Sequence, residues 1–317
     1  MWVEPDIRDE IVDYVSEMSH RSDLPQQWFI SRLGIQGSKY HSWVKRYETP
    51  NRHNGQIPRY FWVPEAERQV IIDYCSTRTQ EGYRRLTYKM IDEDIAAVSP
   101  STVYRILKDR GLLLRWNPGR SGNKGTGFKQ PDKIHEHWHT DIAYVNVKGS
   151  FLYLISVMDG YSRMILHHEL RVNMNEYDVQ ITLQRAMEKY PDVRPRLISD
   201  NGSQFVSKDF KEYLRECHLK HVRTSVNYPQ SNGKLERFHR TIKEEAIRKQ
   251  SYVSFADARR QVDAYIRRYN EERLHSALYY LTPKEVFEGK MEERLAERQF
   301  KLDQAAVKRR NHSLQAS

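Results

Sequence analysis

A chain of 317 residues is longer than one ordinary domain, so two or three are expected, with area enough for at least one sizeable core. Lysine and arginine number 52 against 42 acids, a formal net charge of +10, which points to a polyanionic partner; nucleic acid is the economical one, because cationic side chains gain affinity by releasing phosphate-bound counterions. No stretch of 18 apolar residues occurs, so no membrane span is predicted, and Cys75 and Cys217 read as small buried residues of a reducing cytoplasm rather than as a disulfide.

The amino terminus carries Glu4, Asp6, Asp9 and Glu10 and has no secretory pattern. The first expected pair of helices covers 24–33 and 38–47 with Gly34 between them. That is helix-turn-helix spacing, with Lys39, His41, Ser42 and Lys45 available to DNA. Further amphipathic helices are expected over 65–77, 83–92 and 99–110; in the last, Ser99 caps, Pro100 takes the first position and Gly111 terminates. Val103, Ile106 and Leu107 then face inward and leave Ser101, Thr102, Arg105 and Lys108 free for a duplex, where phosphate contacts position and a few side chains read bases. Three-helix bundles of mixed charge also bind proteins, so both units, 1–58 and 64–114, keep that second reading.

Residues 115–131 combine glycine, proline and bases without an acid, which predicts a flexible linker lying along DNA through Arg120 and Lys124. Residues 136–147, 151–158 and 163–170 then read as three strands of an antiparallel meander. The first holds Asp141 in His-Thr-Asp-Ile-Ala-Tyr. His135, His137 and His139 alternate along it, but without a Cys-x-x-Cys they are a weak zinc signal. A short strand, 196–199, ends at Asp200, where Asn201 and Gly202 turn the chain. Turn formers fill 228–233, a loop expected to be mobile and to gate a substrate. In the helix that follows, Leu235, Phe238 and Ile242 form an apolar stripe. Glu236, Arg240 and Lys243 share the adjacent face, with Lys234 and Arg237 close to the acid. A helix over 255–271 is apolar at Ala258, Val262, Tyr265, Ile266 and Tyr269, and Thr282-Pro283 opens a short one. These elements delimit a core over 132–289. The tail, 290–317, carries Arg294, Arg298, Lys301, Lys308, Arg309 and Arg310 and reads as a partly ordered helix that contacts DNA or a second protomer, or as a solvated one with no partner.

Taken singly, Asp200 before Asn-Gly is a turn residue and Glu236 is a helix-face partner of Arg240. Taken together the acids suit phosphodiester chemistry, in which two hard divalent ions activate one oxygen and stabilise another. Like charges about 4 Å apart repel by about 4 kcal/mol at an effective dielectric near 20, so acids that converge call for a cation. Asp141, Asp200 and Glu236, the last two 36 positions apart (236 − 200), resemble in order, spacing and flanking sequence the DDE cores of transposases and retroviral integrases. The three helices over 65–77, 83–92 and 99–110 together resemble the helix-turn-helix segment that precedes the core in insertion-sequence transposases, and the likeness runs over about 64–290.

The resemblance implies an α/β, RNase H-like core, a mixed five-stranded sheet flanked by helices, behind all-α helix-turn-helix units. It implies cleavage and strand transfer by a 3′-hydroxyl at the ends of a mobile element. Mg²⁺ would be the cofactor, with Mn²⁺ able to substitute; Asp141 would bridge both ions, Asp200 would complete one site and Glu236 the other. Lys234, Arg237, Arg240, Lys243 and Asn201 would meet DNA near the scissile phosphate. Partners implied are double-stranded DNA (terminal repeats and target), further copies of the chain in at least a dimer, and a companion first-frame protein, in bacterial cytoplasm on the nucleoid. The zinc-binding His-His-Cys-Cys module of retroviral integrases is missing. Two other readings stay open: a domesticated, sequence-specific DNA-binding regulator, and an RNase H-like nuclease.

Overall fold

The computed structural model describes residues 3–49, 63–113, 130–147, 149–223, 232–249 and 252–315. The expected linker, with Arg120 and Lys124, and the loop before Gly233 lie outside the described residues, apart from their edges. The chain divides into two compact units, residues 1–63 with 306–317, and residues 64–305.

In the first unit, α1 (Pro5–Ser22), α2 (Gln26–Arg32) and α3 (Gly37–Val44) close around Val12, Val15, Phe29, Ile30, Tyr40 and Trp43. The apolar positions recur at helical spacing, so each helix buries one stripe. Arg8 is buried in this unit against Asp9, which lies 2.6 Å away.

The second unit begins with α4 (Glu65–Ser76), α5 (Tyr83–Asp92) and α6 (Pro100–Asp109). Their buried side chains include Ile71, Tyr74, Leu86, Met90, Val103, Ile106 and Leu107. Ser99 caps α6 by accepting from the Thr102 amide at 3.2 Å. Gly111 follows at φ +67°, a left-handed conformation that glycine adopts at no steric cost, so the sequence signals for both ends of this helix hold.

Five strands form one sheet in the order β3-β2-β1-β4-β5: β1 (His137–Val147), β2 (Ser150–Asp159) and β3 (Ile165–Arg171) form the expected meander, and β4 (Arg196–Ser199) and β5 (Lys220–Arg223) add parallel. Between β3 and β4 runs α7 (Glu176–Lys189); α8 (Ser203–Val206) and α9 (Lys208–Glu216) join β4 to β5. The sequence reading had named neither these helices nor β5. Beyond β5 come α10 (Gly233–Glu245) and α11 (Phe255–Glu271).

Strand alternation sends Ala143, Val145, Leu152 and Leu154 to one face, where Leu235, Phe238 and Ile242 of α10 and Val262, Ile266 and Tyr269 of α11 cover them. Trp138, Ile155, Val157 and Leu197 go to the other, under Val179 and Leu183 of α7 and Phe210 and Leu214 of α9. A mixed sheet covered by helices on both faces is the RNase H-like arrangement, here behind helical units. Phe238, 1% exposed at the centre of the first layer, would cost roughly 3–5 kcal/mol to truncate to alanine.

Thr282 caps α12 (Pro283–Phe287) in a capping box with Glu285, and α13 (Met291–Gln315) follows. The bases on its first half do not face outward as the tail reading expected. Arg298 is 3% exposed and makes a two-pronged contact with Asp92, at 2.8 and 2.6 Å; Arg294 reaches Glu285 at 2.7 Å, and Lys301 reaches Asp94 at 2.8 Å. The acids at the end of α5 draw these cations inward, where their charge is answered within the chain. Among the described residues no helix is long and apolar enough to cross a membrane.

Candidate active site

The paired strands β1 and β4 bring two acids together. His139 lies opposite Ile198 in the parallel register, so Asp141, two residues on within β1, comes beside Asp200, two residues on and just past the end of β4. Asp141 belongs to the same alternating set as Ala143 and Val145 and so faces α10. Its Oδ1 accepts from the Ile142 amide at 2.8 Å, and its Oδ2 lies 3.4 Å from Nδ1 of His239.

Asp200 is fixed by the turn that follows it, its Oδ1 accepting from the Gly202 amide at 2.9 Å. Ser199 beneath it donates to the Asp200 carbonyl oxygen at 2.9 Å and shares a 2.9 Å hydrogen bond with His221 Nε2. Glu236 comes from the first turn of α10, whose apolar stripe of Leu235, Phe238 and Ile242 is pressed on the sheet.

Two of the three acids are raised partly by the charge of another. Burial raises the Asp200 pKa, the Gly202 amide opposes it, and the charge of Asp141 raises it further. Glu236 is raised by desolvation and then by Asp141, with His239 and Arg240 opposing and Asp200 adding. Asp200 and Glu236, each raised in part by a neighbouring carboxylate charge, are eased by a cation placed beside them. An open cleft of about 360 Å³ is lined by Asp141, Ile142, Ala143, Glu236, His239, Arg240, Lys243, Glu244 and Arg248. Among the described residues no three His, Cys, Asp or Glu side chains form a ready-made metal cage; Asp141 and Glu236 line the cleft, and Asp200 stands outside its lining. The donor set fits hard cations all the same, since the carboxylates supply oxygen and two of them border an open cleft.

The expected basic face divides. Arg240 and Lys243 line the cleft, and Arg237 and Asn201 are exposed. Lys234 is a correction: its ammonium donates to the Gly160 carbonyl oxygen at 2.7 Å and is half-buried, its pKa brought down to about 7 by burial and then by Arg163. At the first turn of a helix lying on the sheet, a long side chain reaches the β2–β3 turn more readily than solvent. Below it His139 is fully buried, its pKa lowered to about 3 by burial and the Lys234 and Arg163 charges. Gly160 packs so closely on this ring that a Cβ would stand 2.9 Å from His139 Nε2.

The other expected DNA contacts belong to the helical units. On α6, Ser101, Arg105 and Lys108 are exposed, while Thr102 is engaged with Ser99 at 3.0 Å. On α3, His41 and Lys45 are exposed, and Lys39 is half-buried, its ammonium 5.2 Å from the Trp43 ring centre. Sequence reasoning missed His239 and Arg248. The signal for His239 was present, since it follows Glu236 by three positions and must share its side of the helix.

Known proteins add to this geometry. Two models of the integrase core domain match residues 131–229 and 218–283. The transposase for insertion sequence element IS904 of Lactococcus lactis subsp. lactis (strain IL1403) is 31% identical over 242 residues, which is 70% of this chain and 94% of that protein. Transposase InsD for insertion element IS2A/D/F/H/I/K of Escherichia coli is 28% identical over 217 residues, 64% of this chain and 72% of that protein. Among solved structures, the HTLV-2 integrase catalytic core domain in complex with magnesium (dimeric form) is 15% identical and superposes with a TM-score of 0.39 over 49% of this chain and 98% of that one.

Proposed function

The chain belongs to the insertion-sequence transposases built on an integrase core domain, and from that premise we propose that Asp141, Asp200 and Glu236 carry metal-dependent DNA cleavage and strand transfer at the ends of a mobile element. The observation that supports this most is that acids from β1, the end of β4 and α10 act on one another beside a cleft that Arg240, Lys243 and Arg248 also line.

Asp141, Asp200 and Glu236 would hold the divalent ions, Mg²⁺ with Mn²⁺ able to substitute. When bound, such ions supply activation of the attacking oxygen and stabilisation of the leaving one. The protein's own part is positioning. Amide hydrogen bonds to Oδ1 of Asp141 and of Asp200 orient these two carboxylates from one side, and the packed stripe of α10 fixes where Glu236 enters. Arg240, Lys243 and Arg248 offer cations to the phosphates of a strand lying in the cleft, and Arg237 and Asn201 extend that surface. The exposed bases of α6 and α3 bind duplex DNA beyond the cleft. Joining paired ends requires two such sites, so the working form is at least a dimer on DNA, in the bacterial cytoplasm.

The test is a strand-transfer assay with Mg²⁺ or Mn²⁺ on DNA carrying the element end and a supercoiled target. Wild type is compared with Asp141→Asn, Asp200→Asn and Glu236→Gln. Joined product from wild type, lost in all three while end binding persists, is the expected result. Joining that survives in any one of them removes that acid from the assignment.

A further inference from the structure

Helix α10 brings a second side chain to the acids besides Glu236. His239 lies one turn further along, 6% exposed, and borders the cleft. Its Nδ1 is 3.4 Å from Asp141 Oδ2, a distance that a small rotation of either side chain converts to a hydrogen bond. Its Nε2 is buried and has no hydrogen-bond partner among the described residues. The imidazole thus has one nitrogen idle and the other facing a carboxylate, beside the Phe238 ring at 5.6 Å between centres.

The two oxygens of Asp141 then have different neighbours. Oδ1 is taken by the Ile142 amide within the same strand, and Oδ2 faces His239 on another element. Without that second neighbour the carboxylate could swing about its side-chain bond while Asp200 and Glu236 repel it. We propose that His239 is a positioning residue: through its Nδ1–H it holds Asp141 Oδ2 in the orientation that receives the divalent ion, and so sets the ion's affinity before DNA arrives. This rests on the assignment of the three acids to metal binding and deepens it, adding to them a residue that acts through Asp141.

Amide isosteres separate the two ring nitrogens. The side-chain nitrogen of asparagine falls near the position of Nδ1, that of glutamine near Nε2, and both variants retain a polar side chain at this site. The experiment titrates Mn²⁺ alone into the full chain without DNA and reads the dissociation constant from water-proton relaxation, with circular dichroism confirming the fold of each variant. His239→Gln is expected to weaken Mn²⁺ binding by roughly 10–100-fold, the usual effect of losing a partner that orients a metal ligand, and His239→Asn to stay within a few-fold of wild type. Equal affinity in all three proteins, or retention by glutamine and loss by asparagine, overturns the proposal. Asp141→Asn is the control. Mn²⁺ binding that needs Asp141 but ignores residue 239 refutes only the role of His239, whereas binding that ignores Asp141 refutes the acid assignment as well.

Discussion

Replacing Arg298 by methionine tests whether α13 is a structural part of the second unit. The guanidinium is 3% exposed, bonds Asp92 at 2.8 and 2.6 Å, donates to the carbonyl oxygens of Tyr279 at 3.1 Å and Tyr280 at 2.8 Å, and lies 4.9 Å from the Tyr88 ring centre. Breaking a buried pair from one side costs about 3–5 kcal/mol, because it strands the remaining charge. Asp92 here keeps Arg294 at 3.2 Å, and methionine refills part of the volume, so the low end, about 3 kcal/mol, is expected. For a unit the size of residues 64–305 that corresponds to a fall of roughly 6–12 °C in Tm. Scanning calorimetry of the full chain should show it in one transition. Asp92→Asn added to Arg298→Met should then cost much less than it does alone, since the two share one interaction. A loss below about 1 kcal/mol, the value of an exposed ion pair, would refute the reasoning and return α13 to the status of a solvated tail.

His275, half-buried with its pKa lowered to about 4 by desolvation and then by Arg163 and Arg273, should make the protein acid-sensitive. The unfolded imidazole binds a proton below its ordinary 6.5 and the folded one only below about 4, so stability falls as pH drops through that window, by at most about 1.4 kcal/mol per pH unit. His275→Gln should flatten that part of the urea-midpoint profile, and an unchanged profile counts against the assignment. Gly160→Ala puts a methyl 2.9 Å from His139 Nε2 and 3.1 Å from the His137 carbonyl oxygen, and overpacking of that kind costs about 1–3 kcal/mol. Thermal melts within 1 °C of wild type would show that the turn yields. Lys243→Ala, which removes a cleft cation and no acid, should lower strand transfer and flatten the dependence of DNA affinity on salt by about one in log–log slope. An unaltered slope would take Lys243 off the phosphate backbone.

What could be read from the sequence follows the range of the forces that write it. Helix α6 was legible because its signals are local: the Ser99 hydroxyl, the Pro100 ring and the Gly111 φ act within a turn of where they stand. Strand β1 and the stripe of α10 were legible because a period needs no partner, and the apolar positions fixed which residues turn to the sheet. The convergence of Asp141, Asp200 and Glu236 came instead from resemblance, since nothing within one strand states that β1 lies beside β4. Three failures mark the limit. Lys234 and Glu236 lie two apart, yet one side chain reaches Gly160, 74 positions away, while the other borders the cleft. The Arg298 guanidinium meets an acid 206 positions distant. In both, burial of a long cationic side chain was decided by an acceptor that only the assembled fold supplies, so composition favoured solvent or DNA and tertiary structure overruled it. His239 is the opposite case. Its i, i+3 relation to Glu236 was in plain view, but its meaning depended on Asp141 facing the helix from the sheet. The residues that hold and orient the acids are thus harder to read than the acids, because each works through a contact between elements distant in the chain.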